Sequence, residues 1–201
     1  MKKTVLILLS TAFSVIAFAQ TNASTSGASN ATTVTKLPAL DKSPMDMSYF
    51  PADYPMIKTQ NKTSQPPLAR VIYSRPQRDE RIIFGELIEY GKVWRLGANE
   101  ATEIEFFKEA VVNGKKIAKG RYTLYAIPNE TQWTLIINKD TDCWGAFVYD
   151  SKKDVVRADV PVTKLSTPVE PFSMTFTKAD KGANLVIAWE NTSVSLAIEI
   201  K

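Results

Sequence analysis

From Leu68 to the end of the chain, apolar and polar residues alternate with a period of two. In Arg121 to Ile127, RYTLYAI, Tyr122 and Leu124 fall on one face and Thr123, Tyr125 and Ile127 on the other. Successive side chains of an extended chain point to opposite faces, so this pattern predicts strands. Trp133, Leu135 and Ile137 alternate next, followed by Val155 to Val160, Phe172 to Thr177, Leu185 to Trp189 and Val194 to Ile200. Asn113-Gly114 stands between AVV and KKI and predicts a hairpin, because both residues tolerate the positive φ of a two-residue turn. No segment shows a helical period. The expected fold is all-β: a single antiparallel β-sandwich, Greek-key or jelly-roll-like, over residues 68–201. Within it, Gly120 stands two residues before Tyr122 at a strand entry. That spacing predicts a tyrosine corner, in which the hydroxyl bonds backbone across a crossover; a plain core tyrosine after a turn is the simpler reading.

The pattern changes before Leu68. Lys2 and Lys3 precede an apolar run from Val5 to Ile16, and Ala17-Phe18-Ala19 follows with small residues at the peptidase positions. Residues 1–19 therefore read as a secretory signal, with cleavage between Ala19 and Gln20. The run is short for a membrane span, and no later apolar stretch is long enough to cross a bilayer. A soluble exported protein, periplasmic or extracellular, is expected. Residues 20–35 are a Ser/Thr/Asn/Ala tract with little to bury, which reads as a disordered spacer. Residues 36–67 are rich in proline yet carry Met45, Met47, Tyr49, Phe50 and Tyr54. Proline forbids a long helix and the large side chains favour burial, so an extended strap over the domain is expected.

Composition narrows the chemistry. The chain has no histidine and one cysteine, Cys143. Histidine-based triads and the usual zinc sites are thereby excluded, and no internal disulfide can form. Cys143 reads as a small buried residue beside Trp144. Neither metal nor cofactor is expected. Lysine and arginine number 25 against 21 acids, and the two signs are interspersed, so nothing resembles a nucleic-acid footprint. The densest basic spot, Arg70, Arg75, Arg78 and Arg81, encloses Asp79 and Glu80 and reads as a strand-edge cluster.

The stretch VWRLGANEATEIEF, residues 93–106, concentrates the candidate site residues: Trp94, Arg95, Asn99 and Glu100. Strand parity puts Thr102, Ile104 and Phe106 inward and Glu103 and Glu105 outward. Counted backward, the same parity turns Glu100 inward, where a carboxylate needs a partner. Arg95 is the nearest long cation, so a compact loop closed by an Arg95–Glu100 pair is expected, with a ligand site as the competing reading.

ARVIYSRPQ, IFGELIEYGKVWRLGANEATEIEF, KGRYTLYAIP, WTLIINK and WGAFVYD together resemble the domain-of-unknown-function 2911 family of exported bacterial proteins. The resemblance runs from about Pro38 to Lys201, and Trp94 to Thr102 matches its most specific motif. It implies one exported domain and no particular activity, substrate or catalytic residue. Three functions are weighed on the residues themselves. The first is a non-catalytic binding domain for a glycan or another small molecule, using Trp94 and Trp144 with Arg95, Asn99 and Glu100. The second is a hydrolase pairing Glu100 with Asp140 or Asp142. The third is an assembly role, with the strap from Met45 to Tyr54 engaging a partner.

Overall fold

The computed structural model describes residues 37–201. The expected signal peptide, its expected cut between Ala19 and Gln20, and the expected spacer over 20–35 lie outside the described residues. Two antiparallel sheets stack face to face. The first runs β1 (Met45–Phe50), β2 (Ala69–Ser74), β3 (Glu103–Phe106), β6 (Gly120–Ile127), β7 (Gln132–Asn138), β8 (Asp154–Pro161) in spatial order. The second runs β5 (Lys115–Ile117), β4 (Ala110–Val112), β10 (Gly182–Ile200), β9 (Thr163–Ala179). The chain is an all-β sandwich.

Alternation explains the packing. In β8, Val156, Ala158 and Val160 are buried while Arg157 and Asp159 are exposed. Leu124, Ala126, Leu135 and Ile137 enter the core between the sheets, where Leu185, Ile187 and Trp189 of β10 meet them. Thr123 and Tyr125, on the odd-numbered face of β6, are buried as well, while Arg121 at its start stays exposed. Tyr125 and Ile136 lie on the outer side of the first sheet, where Cys143, Ala146 and Tyr149 of the β7–β8 connection cover them. Sequence alternation predicted a two-faced strand here; the covering loop makes it two-sided.

Asn113 (φ 47°) and Gly114 (φ 71°) form the turn between β4 and β5. Tyr122 donates its hydroxyl to the Ala118 carbonyl at 2.9 Å, next to Gly120 at φ 150°. The segments Leu185 to Trp189 and Val194 to Ile200 belong to one long strand, β10. It stays continuous because Glu190, at φ 52°, absorbs an irregularity in the pairing with β9.

Residues 45–54 depart from the strap expectation. Residues 45–50 are the edge strand β1, paired with β2 from Met45↔Ser74 to Phe50↔Ala69. Of the five large side chains only Phe50 is buried. Met45 and Met47 are exposed, and Tyr49 and Tyr54 are half-buried against each other, 5.5 Å between ring centroids. Backbone pairing, not side-chain burial, orders this segment. A short helix, α1 (Tyr54–Thr59), follows; Pro55 sits in its first turn, where no N–H is needed.

Candidate functional site

The Trp94 stretch lies in the connection between β2 and β3, and its backbone is tied at both ends. Trp94 exchanges both backbone bonds with Ala126 at 2.7 and 2.9 Å, and the Thr102 N–H reaches the Arg95 carbonyl at 3.0 Å. Between these anchors the chain reverses tightly. Leu96 is fully buried at φ 56°, a conformation that side chains with a Cβ rarely adopt. Gly97 follows at φ 137°, where a Cβ would come within 2.7 Å of Ser74 Oγ. The Ser74 hydroxyl accepts from Ala98 N–H at 2.7 Å and donates to the Ala98 carbonyl. Trp94 Nε1 donates to the Gly97 carbonyl at 3.1 Å, and the Thr102 hydroxyl to that of Leu96.

These bonds, and not an ion pair, close the loop. No salt bridge joins Arg95 to Glu100 among the described residues, and Glu100 is exposed. The inward parity of Glu100 fails for a local reason. Thr102, Ile104 and Phe106 are buried as parity requires, but Ala101 is buried too, and Asn99 is left-handed at φ 57°. Alternation cannot be counted across that break.

The five candidate residues divide into three places. Trp94 is a core residue, only 4 % exposed. Its ring lies 5.2 to 6.0 Å from those of Phe84, Trp133, Phe172 and Trp189, so it offers no face to a ligand. Asn99, Glu100 and Trp144 meet at the β7–β8 connection. Gly145 N–H donates to the Asn99 carbonyl at 2.9 Å and Ala101 N–H to that of Cys143 at 2.8 Å. Trp144 is 60 % exposed there.

Arg95 goes elsewhere. It lines a cleft of about 440 Å³ together with Lys42, Asp79, Arg81, Leu87 and Trp189. The Arg95 Nε is buried and has no hydrogen-bond partner, and burial pushes the guanidinium below its ordinary pKa. The other arginines nearby are occupied. Arg75 binds Asp46 at 2.8 Å and Ser173 at 2.9 Å. Arg81 donates to the carbonyls of Arg78 and Gln77, with Asp79 at 3.8 Å. Arg70 Nε lies 2.7 Å from Glu105 Oε2, although off the line of a hydrogen bond. Lys42, Asp79 and Arg81 had no place among the candidates from sequence. The one sequence signal for them is the arginine density ending at Arg81; Lys42 reaches the cleft only through folding.

A second, smaller hollow of about 270 Å³ is lined by Glu100, Glu103, Asp142 and Cys143. Two of its three carboxylates are engaged: Arg121 spans Glu103 at 3.2 Å and Asp142 at 2.7 Å. Asp140, the other proposed partner of Glu100, is bound by Lys153 at 2.8 Å. Cys143 is half-buried, its thiol 3.5 Å from the Thr141 carbonyl. Among the described residues no cluster of three or more metal-ligating side chains occurs, and no helix is long and apolar enough to cross a membrane.

No curated protein and no solved structure matches the chain. A family model described as "Protein of unknown function (DUF2911)" matches residues 55–198, which include Trp94 to Thr102 and both connections that carry the candidate residues. The chain belongs to that family.

Proposed function

We propose that this protein is an exported, non-catalytic binding domain that holds a small ligand in the cleft beside Arg95. The observation that carries this reading is a cleft of about 440 Å³ into which one strand-end loop delivers a partnerless polar side chain. Clefts of several hundred Å³ with a few fixed polar groups over an apolar floor suit small-molecule ligands. Here the apolar lining is Leu87 and Ile88, with only a sliver of Trp189, which is buried against Phe172 at 5.7 Å and donates its N–H to the Glu170 carbonyl. The hydrolase reading has less support, because Asp140 and Asp142 are each engaged by a cation, Lys153 and Arg121. Export rests on the pattern from Lys2 to Ala19.

The test is a thermal-shift screen of the purified protein against neutral and acidic sugars, peptidoglycan fragments and small metabolites. A ligand of this cleft raises the melting temperature saturably, and Ser43→Trp, which adds bulk to the cleft wall, abolishes the shift. A ligand whose shift survives Ser43→Trp but disappears in Trp144→Ala would move the site to the other loop and refute the assignment.

A further inference from the structure

We propose that the ligand of this cleft carries a carboxylate on an apolar or sugar-like body, and that the Arg95 guanidinium is its anchor. This rests on the binding reading above and adds the class of ligand to it. Three features of the cleft carry the inference.

The first is an unmet need. Arg95 stays cationic at any ordinary pH, and its Nε is shut off from water with nothing to receive its proton. The Nε itself is enclosed, but Arg95 lines the cleft and makes no ion pair among the described residues, so its charge is left for an anion from outside. A planar fork of N–H donors is best met by a planar pair of oxygens. The second feature is the charge of the surroundings. Lys42, Arg81 and Arg95 line the cleft against a single acid, Asp79, so the cleft favours an anion. Arg81 already donates through Nε and Nη2 to backbone carbonyls of its own turn, and Lys42 is exposed. Because Arg81 is committed to carbonyls, the one open guanidinium fixes the anion's orientation, and its planar fork suits the two oxygens of a carboxylate.

The third feature is the apolar wall. Leu87, half-exposed, and Ile88 face the same space above Trp189. Inorganic anions gain nothing from such a wall; an organic acid covers it and removes its apolar surface from water. The left-handed Leu96 and the Ser74 clasp hold Arg95 beside this wall through a stiff backbone, so little ordering remains to be done on binding.

The probes are galacturonate and benzoate as carboxylates from two sources, galactose as the neutral twin of the first, and inorganic phosphate. Calorimetric titration at low salt is run on the wild type, Arg95→Met and Arg95→Lys. Carboxylate binding is expected, about tenfold or more weaker in Arg95→Met, with Arg95→Lys between, since a point charge lacks the fork. Affinity falls as salt rises. Preference for galacturonate over benzoate assigns the source as an acidic sugar, and the reverse as a free organic acid. Galactose binding as tightly as galacturonate, blocked by Ser43→Trp but indifferent to Arg95→Met, overturns the carboxylate inference and leaves the binding cleft standing. Phosphate binding as tightly as either carboxylate also overturns it. Should the wider screen find a ligand without a carboxylate that Ser43→Trp blocks, or a carboxylate whose binding survives Arg95→Met, the carboxylate inference is wrong and the cleft is right. If Arg95→Met fails to fold, Arg95→Lys and the salt dependence decide alone.

Discussion

The β2–β3 and β7–β8 connections are built from similar parts and end in opposite situations. Each carries a tryptophan followed by a glycine with positive φ, Trp94 before Gly97 and Trp144 before Gly145. Trp94 is 4 % exposed and Trp144 60 %. The difference lies in how each loop is zipped to the sheet. Trp94 is bonded to Ala126, whose side chain faces the inter-sheet core, and so the indole enters that core with four other aromatic residues. The other loop lies across the outer face. There Cys143 and Ala146 turn toward Tyr125 and Ile136, which leaves Trp144, Phe147 and Val148 facing solvent. Residue type does not choose the face; backbone register does.

The largest effect that this comparison implies is on stability. Trp94→Ala opens a hole among four aromatic rings and should cost about 3–5 kcal/mol, while Trp144→Ala should stay within about 0.5 kcal/mol. Urea denaturation of both variants measures the gap. Equal costs would mean that the two loops are packed alike in solution.

Next in size is the reversal at Gly97. Alanine there must keep a φ near 137° and bring its Cβ within 2.7 Å of Ser74 Oγ and 3.1 Å of the Ser74 carbonyl oxygen. A loss of about 2–4 kcal/mol is expected, read from the same melts. Gly91, with nothing near its Cβ position, is the control, since only its φ of 74° opposes a side chain. Its change to alanine should cost about 1 kcal/mol.

How much of this was legible beforehand follows from where period two applies. Strands such as β6, β7 and β8 announce themselves, and Trp133 and Trp189 are buried as their alternating neighbours imply. Asn113-Gly114 marks its hairpin because the turn itself demands those residues. The site was half legible. Arg95 was singled out as a long cation beside a turn, but its partner was assigned by carrying parity through Asn99, a left-handed residue that resets it. The burial of Trp94 is invisible for a similar reason: an irregular segment has no period, and Trp94 itself meets the sheet through a lone pairing with Ala126. Strand β1 escaped because edge strands are ordered by backbone bonds, which leave no mark in side-chain pattern. Lys42 and Arg81 are far apart in sequence and share a cleft only through β1 and the β2–β3 connection.

A smaller effect separates the two loops by pH. The inner loop is fastened by uncharged groups, the outer one by a polar knot. Tyr149 donates to Asp154 at 2.7 Å and accepts from Arg157 at 2.7 Å. Burial first, then the Asp154 hydrogen bond and charge, push the Tyr149 hydroxyl from 10.0 to about 12. A pKa raised on folding means that the stabilisation is complete below pH 10 and is lost as pH rises toward 12. Tyr149→Phe should therefore cost about 0.5–1.5 kcal/mol at neutral pH, with the gap to wild type closing through that alkaline window. Tyr125, which burial also holds above its ordinary range, is present in both proteins; Tyr149 is only the last of the causes of its shift, so its effect largely cancels. A gap that stays constant with pH would show that the phenol is not part of the knot.

The smallest effect is the most diagnostic for the stretch between the two loops. Had Arg95 and Glu100 formed a buried pair, Arg95→Met would strand a carboxylate and cost on the order of 3 kcal/mol, and Glu100→Gln would restore part of it. Glu100 is exposed beside Trp144, while Arg95 lines the cleft that also holds Asp79, and no ion pair joins it to a carboxylate among the described residues. Arg95→Met removes a half-buried cation whose Nε is already unsatisfied, so its cost should stay below about 1 kcal/mol and can turn into a gain. Glu100→Gln should lie within about 0.5 kcal/mol of wild type. The double variant should equal the sum of the two, with a coupling below about 0.5 kcal/mol, as befits groups without a shared partner. A coupling above about 1 kcal/mol would restore the ion pair and with it the closed, ligand-free loop. Additivity would leave Arg95 as a charge held ready in a cleft, stable without a partner inside the protein.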